Sequence, residues 1–577
     1  MTDDDLRELL SGPGFDRPRD LTATQFHQHN YRRMRLLADA VGPAADLLAD
    51  RARLAELSAL TALRDPVLYH TVLLHYCLCL NGIVRFAPDP DAVLARIRAD
   101  GATGVVLMTE AGRSNSHGAM RTEARFDPAT REFTLRTPGP EAVKFPNTAG
   151  EHAAPKAALV YARLRNGDTD HGVFGFLVHI GGRHGVPAGL QIRHAYESGN
   201  LPTDTVAVAF DGVRLPFDAW LSDGAAFDPD GTFTDPLGSP EARMSRSMAV
   251  GVETWISITA AVAAVSRAAT AMAIRYSLTR LTADKISGTR PVLDYRNQHV
   301  ELLTDLADAY ALTALADPAS QVETAAAGGA AWAPWSAVDP LLPLHKAVAV
   351  EAAWRVTMSC RERCGGLAYG GTRWPLAYQS LVDGYRSAGG DNALIRLDTA
   401  RNMAANAGYA PPQDDPPAAL RTGADFLRLA EACERRLHAR LRDRLAAARK
   451  DSDEDFAVWR EELEAAQDLA GVYAERLLMA RFAASVRDRA GEDLLLLHGA
   501  GWLRRRIGSL LRCGLAGPET LDAVDRLVGE ACDRLLPHAA DLVDAFGIDE
   551  EFTRSFLAAD DYLEAFIAEF GFEPFWG

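Results

Sequence analysis

The spacing of hydrophobic positions along this chain changes from helical to strand-like and back. Over residues 20–101, Leu36, Leu37, Val41, Leu47 and Leu48, then Leu54, Leu57, Leu60 and Leu63, recur at helical spacing. This predicts an α-helical domain over 1–103. Over 104–235 the texture shifts to short β-rich runs at 105–108, 158–161, 173–178 and 205–210, separated by glycine, proline and aspartate, which predicts a small β-barrel or sandwich. Residues 236–410 return to long alanine-rich helical patterns, a bundle, broken at 325–340 by an Ala/Gly/Pro/Trp stretch read as a surface excursion. The run Pro411-Pro412-Gln413-Asp414-Asp415-Pro416-Pro417 cannot continue a helix and marks the strongest expected boundary. Beyond it, 411–577 is helical again, with 494–497, Leu510-Leu511 and Leu542-Val543 as core candidates. The expected class is mainly α with a central β-domain.

Composition narrows the function classes. With 577 residues, 48% hydrophobic and 24% charged, the chain suits a multidomain globular protein. A net charge of −17 argues against nucleic acid, whose phosphates need a basic face. Arg504-Arg505-Arg506 is a basic run, of the kind usually found as a solvated helix face. The start Met-Thr-Asp-Asp-Asp lacks a signal pattern. The apolar stretches at 261–274 and 338–356 are broken by Ser266 and Arg267, and by Asp339, His345, Lys346 and Glu351. A cytoplasmic protein without membrane insertion is the expectation. Seven scattered cysteines show no zinc-ribbon spacing, and Cys360 and Cys364 read as reduced residues on one helix face. His-Glu-x-x-His, Gly-x-Ser-x-Gly and phosphate-loop motifs are absent, so no metal site is expected. His179 and His184 flank Ile180-Gly181-Gly182-Arg183, which reads as a turn.

The chemistry-bearing text is Ser387-Ala388-Gly389-Gly390-Asp391-Asn392, running into an amphipathic segment at 393–401. It resembles the active-site turn of the acyl-CoA oxidase branch of the acyl-CoA dehydrogenase superfamily, where the usual text is Thr-Tyr-Glu-Gly-Asp-Asn. Further blocks resemble the same family in order. Met108-Thr109-Glu110-Ala111-Gly112-Arg113-Ser114-Asn115 is similar to its Thr-Glu-x-Gly-x-Gly-Thr-Asn flavin-side loop. Such a loop can aim backbone N–H groups and hydroxyls at a flavin edge. Phe126-Asp127-Pro128 resembles its hairpin. Lys144 and Phe145-Pro146-Asn147-Thr148-Ala149-Gly150 stand where the family has Lys-Trp-Trp-Pro-Gly-Gly, with Thr148 or Gly150 as the flavin contact. Arg275-Tyr276-Ser277-Leu278-Thr279-Arg280 and Cys364-Gly365-Gly366 resemble its pyrophosphate-binding blocks, and 541–546 with 554–557 resembles its C-terminal domain. The resemblance implies an acyl-CoA oxidase-like fold, a homodimer, FAD lying between β-domain and bundle, dioxygen, and an acyl thioester carried on CoA or a carrier protein. The implied cofactor contacts are Thr109, Gly112, Ser114, Thr148, Gly150, Arg280, Gly365, Gly366, Asp391 and Asn392.

In that family the turn glutamate removes the α-proton of the thioester, and its position here is Gly389. Some relatives place the base on the helix before the flavin arginine, a position that falls on Thr254, one residue from Glu253; one step on a helix is a rotation of about 100°. Glu253 is therefore the first candidate for a replacement base, although Trp255 stands where the family has arginine, and Ala283 and Asp284 replace its Phe and Gly. Asp391 reads as the cap of the next helix. The leading expectation is a flavin-dependent oxidoreductase with a non-standard or missing base. Alternatives are a monooxygenase on the same fold and a non-catalytic subunit that pairs with an active partner.

Overall fold

The computed structural model describes residues 3–572 except 19, 152, 196–200, 284, 285, 287, 319–337 and 370–374. The excursion expected at 325–340 and the substitution at Asp284 therefore lie wholly or mostly outside the described residues. By its internal contacts the chain divides into two compact units, one comprising 1–258 with 323–343, the other 259–322 with 344–577.

After a short helix Asp3–Ser11, the first unit's main N-terminal helices are Ala23–Val41, Arg51–Arg64, Pro66–Val72 and, after a π-helical stretch at Leu73–Leu80, Asn81–Phe86 and Pro90–Ala99. Side chains set their starts: Thr22 and Gln25 form a reciprocal capping box, and Asp50, Asp65 and Asp89 each accept a backbone N–H of the following turn. Arg33 and Asp65, both fully buried, pair at 2.8 Å and tie the first long helix to the third.

The β-rich runs become strands β1 (Thr103–Leu107), β2 (Glu123–Asp127), β3 (Glu132–Arg136), β4 (Lys144–Asn147), β5 (Lys156–Asn166), β6 (Thr169–Ile180), β7 (Leu190–His194), β8 (Val206–Pro216) and β9 (Trp220–Leu221). They form one nine-stranded sheet with the path β4-β8-β3-β2-β5-β6-β9, β1 joining β5 in parallel and β7 joining β8. Each of the four runs read from sequence falls on a strand of this sheet, Met108 and Thr205 lying one residue beyond β1 and β8, and the Phe126-Asp127-Pro128 text turns β2 into β3 as a hairpin. The core is aromatic: Phe126 stacks on Phe227 at 3.9 Å, and Phe133 packs against Phe176, Phe217 and Trp220.

The second unit is helical, with Arg296–Ala316, Leu342–Arg363, Asn392–Ala404, Gly423–Asp451, Leu463–Ser485, Arg489–Arg512 and Pro518–Leu535 as its longer members. The proline run at 411–417 breaks a helix but not the packing. Helices Asn392–Ala404 and Gly423–Asp451, on either side of it, both pack on Leu463–Ser485, so the expected boundary falls inside one compact unit. Arg504, Arg505 and Arg506 face Asp525, Asp308 and the pair Asp468 and Glu475 respectively, so the basic run is charge-matched rather than simply solvated. All seven cysteines are buried and free. Two helical runs, Pro66–Phe86 and Pro240–Thr279, are long and apolar enough to span a bilayer, but 72% and 94% of their most apolar windows are buried in protein, as expected of core helices.

Candidate active site

Asp391 caps helix Asn392–Ala404 by accepting the N–H groups of Ala393 and Leu394 at 2.9 and 3.2 Å, as its place in the turn predicts. The two residues before it are left-handed, Gly389 at φ +68° and Gly390 at φ +89°. A glutamate at 389 would hold its backbone where a Cβ is strained, so the missing carboxylate is matched by a turn shaped for glycine. Lys346, from helix Leu342–Arg363, fixes that turn from inside. Its buried ammonium donates to the carbonyls of Ala388 (2.7 Å) and Gly390 (2.8 Å) and to Asn392 Oδ1 (3.0 Å). Asn392 in turn donates to Glu351 Oε1 at 3.2 Å. Burial pushes the Lys346 ammonium down to about 7, against the pull of the Asp391 and Glu351 carboxylates. In the sequence this lysine was visible only as an interruption of an apolar helix.

Glu253 lies in the first turn of helix Gly251–Thr279, where a carboxylate favours the helix dipole. It is buried, and both oxygens are engaged: Asn81 Nδ2 donates to Oε2 and Arg85 to Oε1, each at 2.7 Å. Arg85 also donates to Asn81 Oδ1 at 3.0 Å, closing a triad. Both oxygens of Glu253 are thus engaged in a buried triad with Asn81 and Arg85, a structural use of the carboxylate that competes with its expected use as a replacement base. Thr254 bonds back to the Val250 carbonyl at 3.0 Å, and Trp255 is fully buried.

The loop 108–115 is built on Glu110, a buried residue that accepts from Arg121 N, Thr122 N and Thr122 Oγ1 at 2.6–2.8 Å and pairs with buried Lys144 at 3.3 Å. Lys144 also donates to the Met108 carbonyl at 2.8 Å. The expectation that this loop aims its amides outward is overturned at 111–114. The N–H groups of Ala111, Gly112, Arg113 and Ser114 bond to Val143, Glu141, Glu110 and Glu110 carbonyls. Gly112 is needed because a Cβ there would lie 2.4 Å from Glu141 Cβ. Ser114 is exposed at φ +45°, and Thr109 gives this network only its carbonyl, accepting from Phe145 N at 3.0 Å. Thr109 and the Ser114 hydroxyl are the groups of this loop still suited to a flavin.

Thr148 and Gly150 sit on a second buried cluster that sequence reasoning missed. The Tyr31 hydroxyl lies 3.0 Å from the Thr148 carbonyl and 2.9 Å from Asp204 Oδ2. Asp204 also pairs with Lys156 at 3.1 Å and accepts from Glu151 N at 2.6 Å, and the Lys156 ammonium sits 4.5 Å over the Tyr31 ring. A Cβ on Gly150 would come within 2.2 Å of Asp204 Oδ1, so that glycine serves a close approach. Burial and the Asp204 charge push the Tyr31 phenol well up, keeping it a donor. Asp204 and Lys156 left no sequence signal beyond isolated charges in β-rich text.

Arg280 and Gly365, far apart in sequence, meet in one cavity of about 460 Å³ together with Tyr276, Gln298, Glu362 and Arg363. Arg280 follows directly on helix Gly251–Thr279, its N–H bonded to the Tyr276 carbonyl at 2.9 Å and its guanidinium to that of Leu281. Gln298 donates to Ser277 Oγ (3.1 Å) and to the Arg363 carbonyl (3.2 Å), fixing the wall. A Cβ at Gly365 or Gly366 would meet nothing within 4 Å, so both glycines border open space. Two guanidiniums against one carboxylate, beside paired glycines, is a donor set that fits the phosphate portion of a dinucleotide. Ala283 is exposed.

The family description "Acyl-CoA oxidase, C-alpha1 domain" matches residues 252–404, and "Acyl-CoA oxidase" matches 424–561, on either side of the proline run. Acyl-coenzyme A oxidase 2, peroxisomal, of Arabidopsis thaliana is 25% identical over 506 residues, covering 79% of this chain and 72% of its own length. Peroxisomal acyl-coenzyme A oxidase 3 of Homo sapiens is 29% identical over 290 residues, 46% of this chain and 40% of its own. Acyl-CoA oxidase 1 of Yarrowia lipolytica shares the fold with a TM-score of 0.82 at 19% identity, over 98% of this chain and 88% of that one. Acyl-CoA oxidase-2 of Caenorhabditis elegans, solved with FAD, ascaroside-CoA and ATP, gives 0.80 at 19% identity, over 99% and 89%.

Proposed function

The chain belongs to the acyl-CoA oxidase family, and from that premise we propose that it oxidises an acyl thioester with bound FAD while lacking the turn carboxylate that serves the family as base. The observation that carries this reading is the left-handed Gly389-Gly390 turn locked by Lys346, with Glu253 tied to Arg85 and Asn81. FAD supplies a two-electron acceptor that dioxygen can reoxidise. Arg280 and Arg363 would neutralise its phosphates, Gly365 and Gly366 would let backbone approach them, and Thr109 would contact the ring.

The net reaction is acyl thioester plus O₂ giving 2-enoyl thioester plus H₂O₂: a proton leaves Cα, a hydride leaves Cβ, and both hydrogens end on peroxide. Without a positioned carboxylate, proton removal falls to solvent species, and a rate about 10²–10⁴-fold below that of a carboxylate-equipped site is expected. A CoA or carrier-protein thioester such as the ascaroside-CoA of the nematode enzyme is the substrate class, and a homodimer in the cytoplasm is the form proposed.

A second reading is favoured by the same turn: a monooxygenase that activates oxygen on reduced flavin needs no α-proton base. Anaerobic mixing with a panel of acyl-CoA thioesters separates the two. Bleaching of the flavin by thioester alone supports the oxidase reading. Bound flavin that stays yellow, yet gives an oxygenated product once a reductase and O₂ are supplied, replaces it with the monooxygenase. A colourless protein that co-purifies with a glutamate-bearing homologue would make the chain a non-catalytic partner.

A further inference from the structure

We propose that Asp100, His179 and His184 form a binding site for a late first-row divalent cation, Zn²⁺ foremost, where the end of helix Pro90–Ala99 meets the turn after β6. One ligand atom from each residue lies within 4.8 Å of the other two. His184 Nε2 is 2.9 Å from Asp100 Oδ2, and the two imidazole rings stand 4.9 Å apart at 30°. His179 Nδ1 is buried and has no hydrogen-bond partner among the described residues, an arrangement that costs stability unless something satisfies the lone pair or proton.

Three elements hold the set. Asp100 closes the helix, its N–H bonded to the Arg96 carbonyl. His179 is fixed on β6 opposite Ala157 of β5. His184 stands on the short turn Gly182–His184, which is closed by a Gly181 N–H to Gly185 carbonyl bond at 2.6 Å. The sequence places the two histidines around an apparent turn, and only the fold brings in Asp100.

Two imidazoles and one carboxylate suit zinc, cobalt, nickel or copper and not magnesium or calcium, which prefer all-oxygen shells. A tetrahedral zinc with bonds of about 2.0–2.2 Å sets ligand atoms roughly 3.4 Å apart, so the His184–Asp100 pair at 2.9 Å must open slightly while the three ligand atoms, all within 4.8 Å, adjust around the ion. His184, exposed on its turn, can supply that movement. Arg183 pairs with Asp100 and is the cation that must leave; its side chain is 72% exposed, while Arg96 adds a second opposing charge near His179. Three protein ligands leave the fourth position to water, and the ion would clip the N-terminal helices to the sheet.

Calorimetric titration of the chelator-treated, desalted full chain with Zn²⁺, and with Mg²⁺ as control, tests this. The expected result is one Zn²⁺ per chain, no heat from Mg²⁺, affinity at least about tenfold weaker in His184→Ala and in Asp100→Asn, and tighter binding in Arg183→Ala, where the competing guanidinium is gone. His184 and Arg183 are exposed, so both variants keep the fold, and circular dichroism verifies it. Absence of a one-to-one zinc phase, or an affinity unmoved by His184→Ala or by Arg183→Ala, overturns the site.

Discussion

On the function proposed above, the Arg280 cavity would hold the cofactor and the Gly389 turn would face the proton-removal step, and the two regions are built differently. In the cavity the charged group is kept: Arg280 and Arg363 flank glycines that border open space. At the turn, position 389 carries no charged group: Asp391 caps its helix, Lys346 grips the backbone, and Gly389 and Gly390 are left-handed. The difference teaches that the two regions rest on different devices: the cavity on guanidiniums beside open glycines, the turn on a left-handed glycine pair gripped by a buried lysine.

Substitutions at the two regions should separate cleanly. The largest effect is expected for Lys346→Met, which leaves two carbonyls and the Asn392 amide oxygen without their donor and should cost about 2–4 kcal/mol in denaturant unfolding while leaving FAD affinity near wild type. A pH signature accompanies it. Because burial lowers the folded-state ammonium to about 7 from 10.5, the unfolded chain binds this proton more tightly between those values. The penalty is complete below about pH 7 and is relieved as pH rises toward 10.5, so stability gains a positive slope there that Lys346→Met removes.

Arg280→Ala should do the reverse, weakening FAD by about 10–100-fold in ultrafiltration or fluorescence titration with little change in unfolding, the worth of one charge-assisted contact. Equal losses of stability and FAD affinity in both variants would erase the distinction between the regions. Glu253→Gln should cost about 1–2 kcal/mol through its ties to Arg85 and Asn81, with flavin reduction unchanged; a collapse of reduction in a folded variant would restore Glu253 as a base. Gly389→Ala should be the mildest, about 1 kcal/mol from left-handed strain.

The strands were legible because period-two and β-branched runs report directly on a sheet core, and the hairpin at 126–133 was legible from its turn text. Arg280 and Gly365 were singled out as separate motifs, and the fold places both on one cavity, a meeting the sequence did not announce. What stayed hidden was non-local pairing. Asn81 and Arg85, about 170 positions away from Glu253, decide that it is an ion-pair partner, and no local pattern announces them. The same holds for Lys346, Lys144 and Lys156, whose buried charges look like interruptions of apolar text until the acceptors around them are placed. The proline run reports on the backbone of one segment and separates the two family matches, whereas the shared packing on Leu463–Ser485 decides the compact unit.

The absence of a protein carboxylate at the proton-removal step is tested most directly by the pH dependence of flavin reduction when the wild-type protein is mixed anaerobically with an acyl-CoA. With solvent species taking the proton, the reduction rate should keep climbing from about pH 6 to about pH 9. A rate that levels off just above the carboxylate range and stays flat through neutral pH would reveal a titrating protein base and contradict the account.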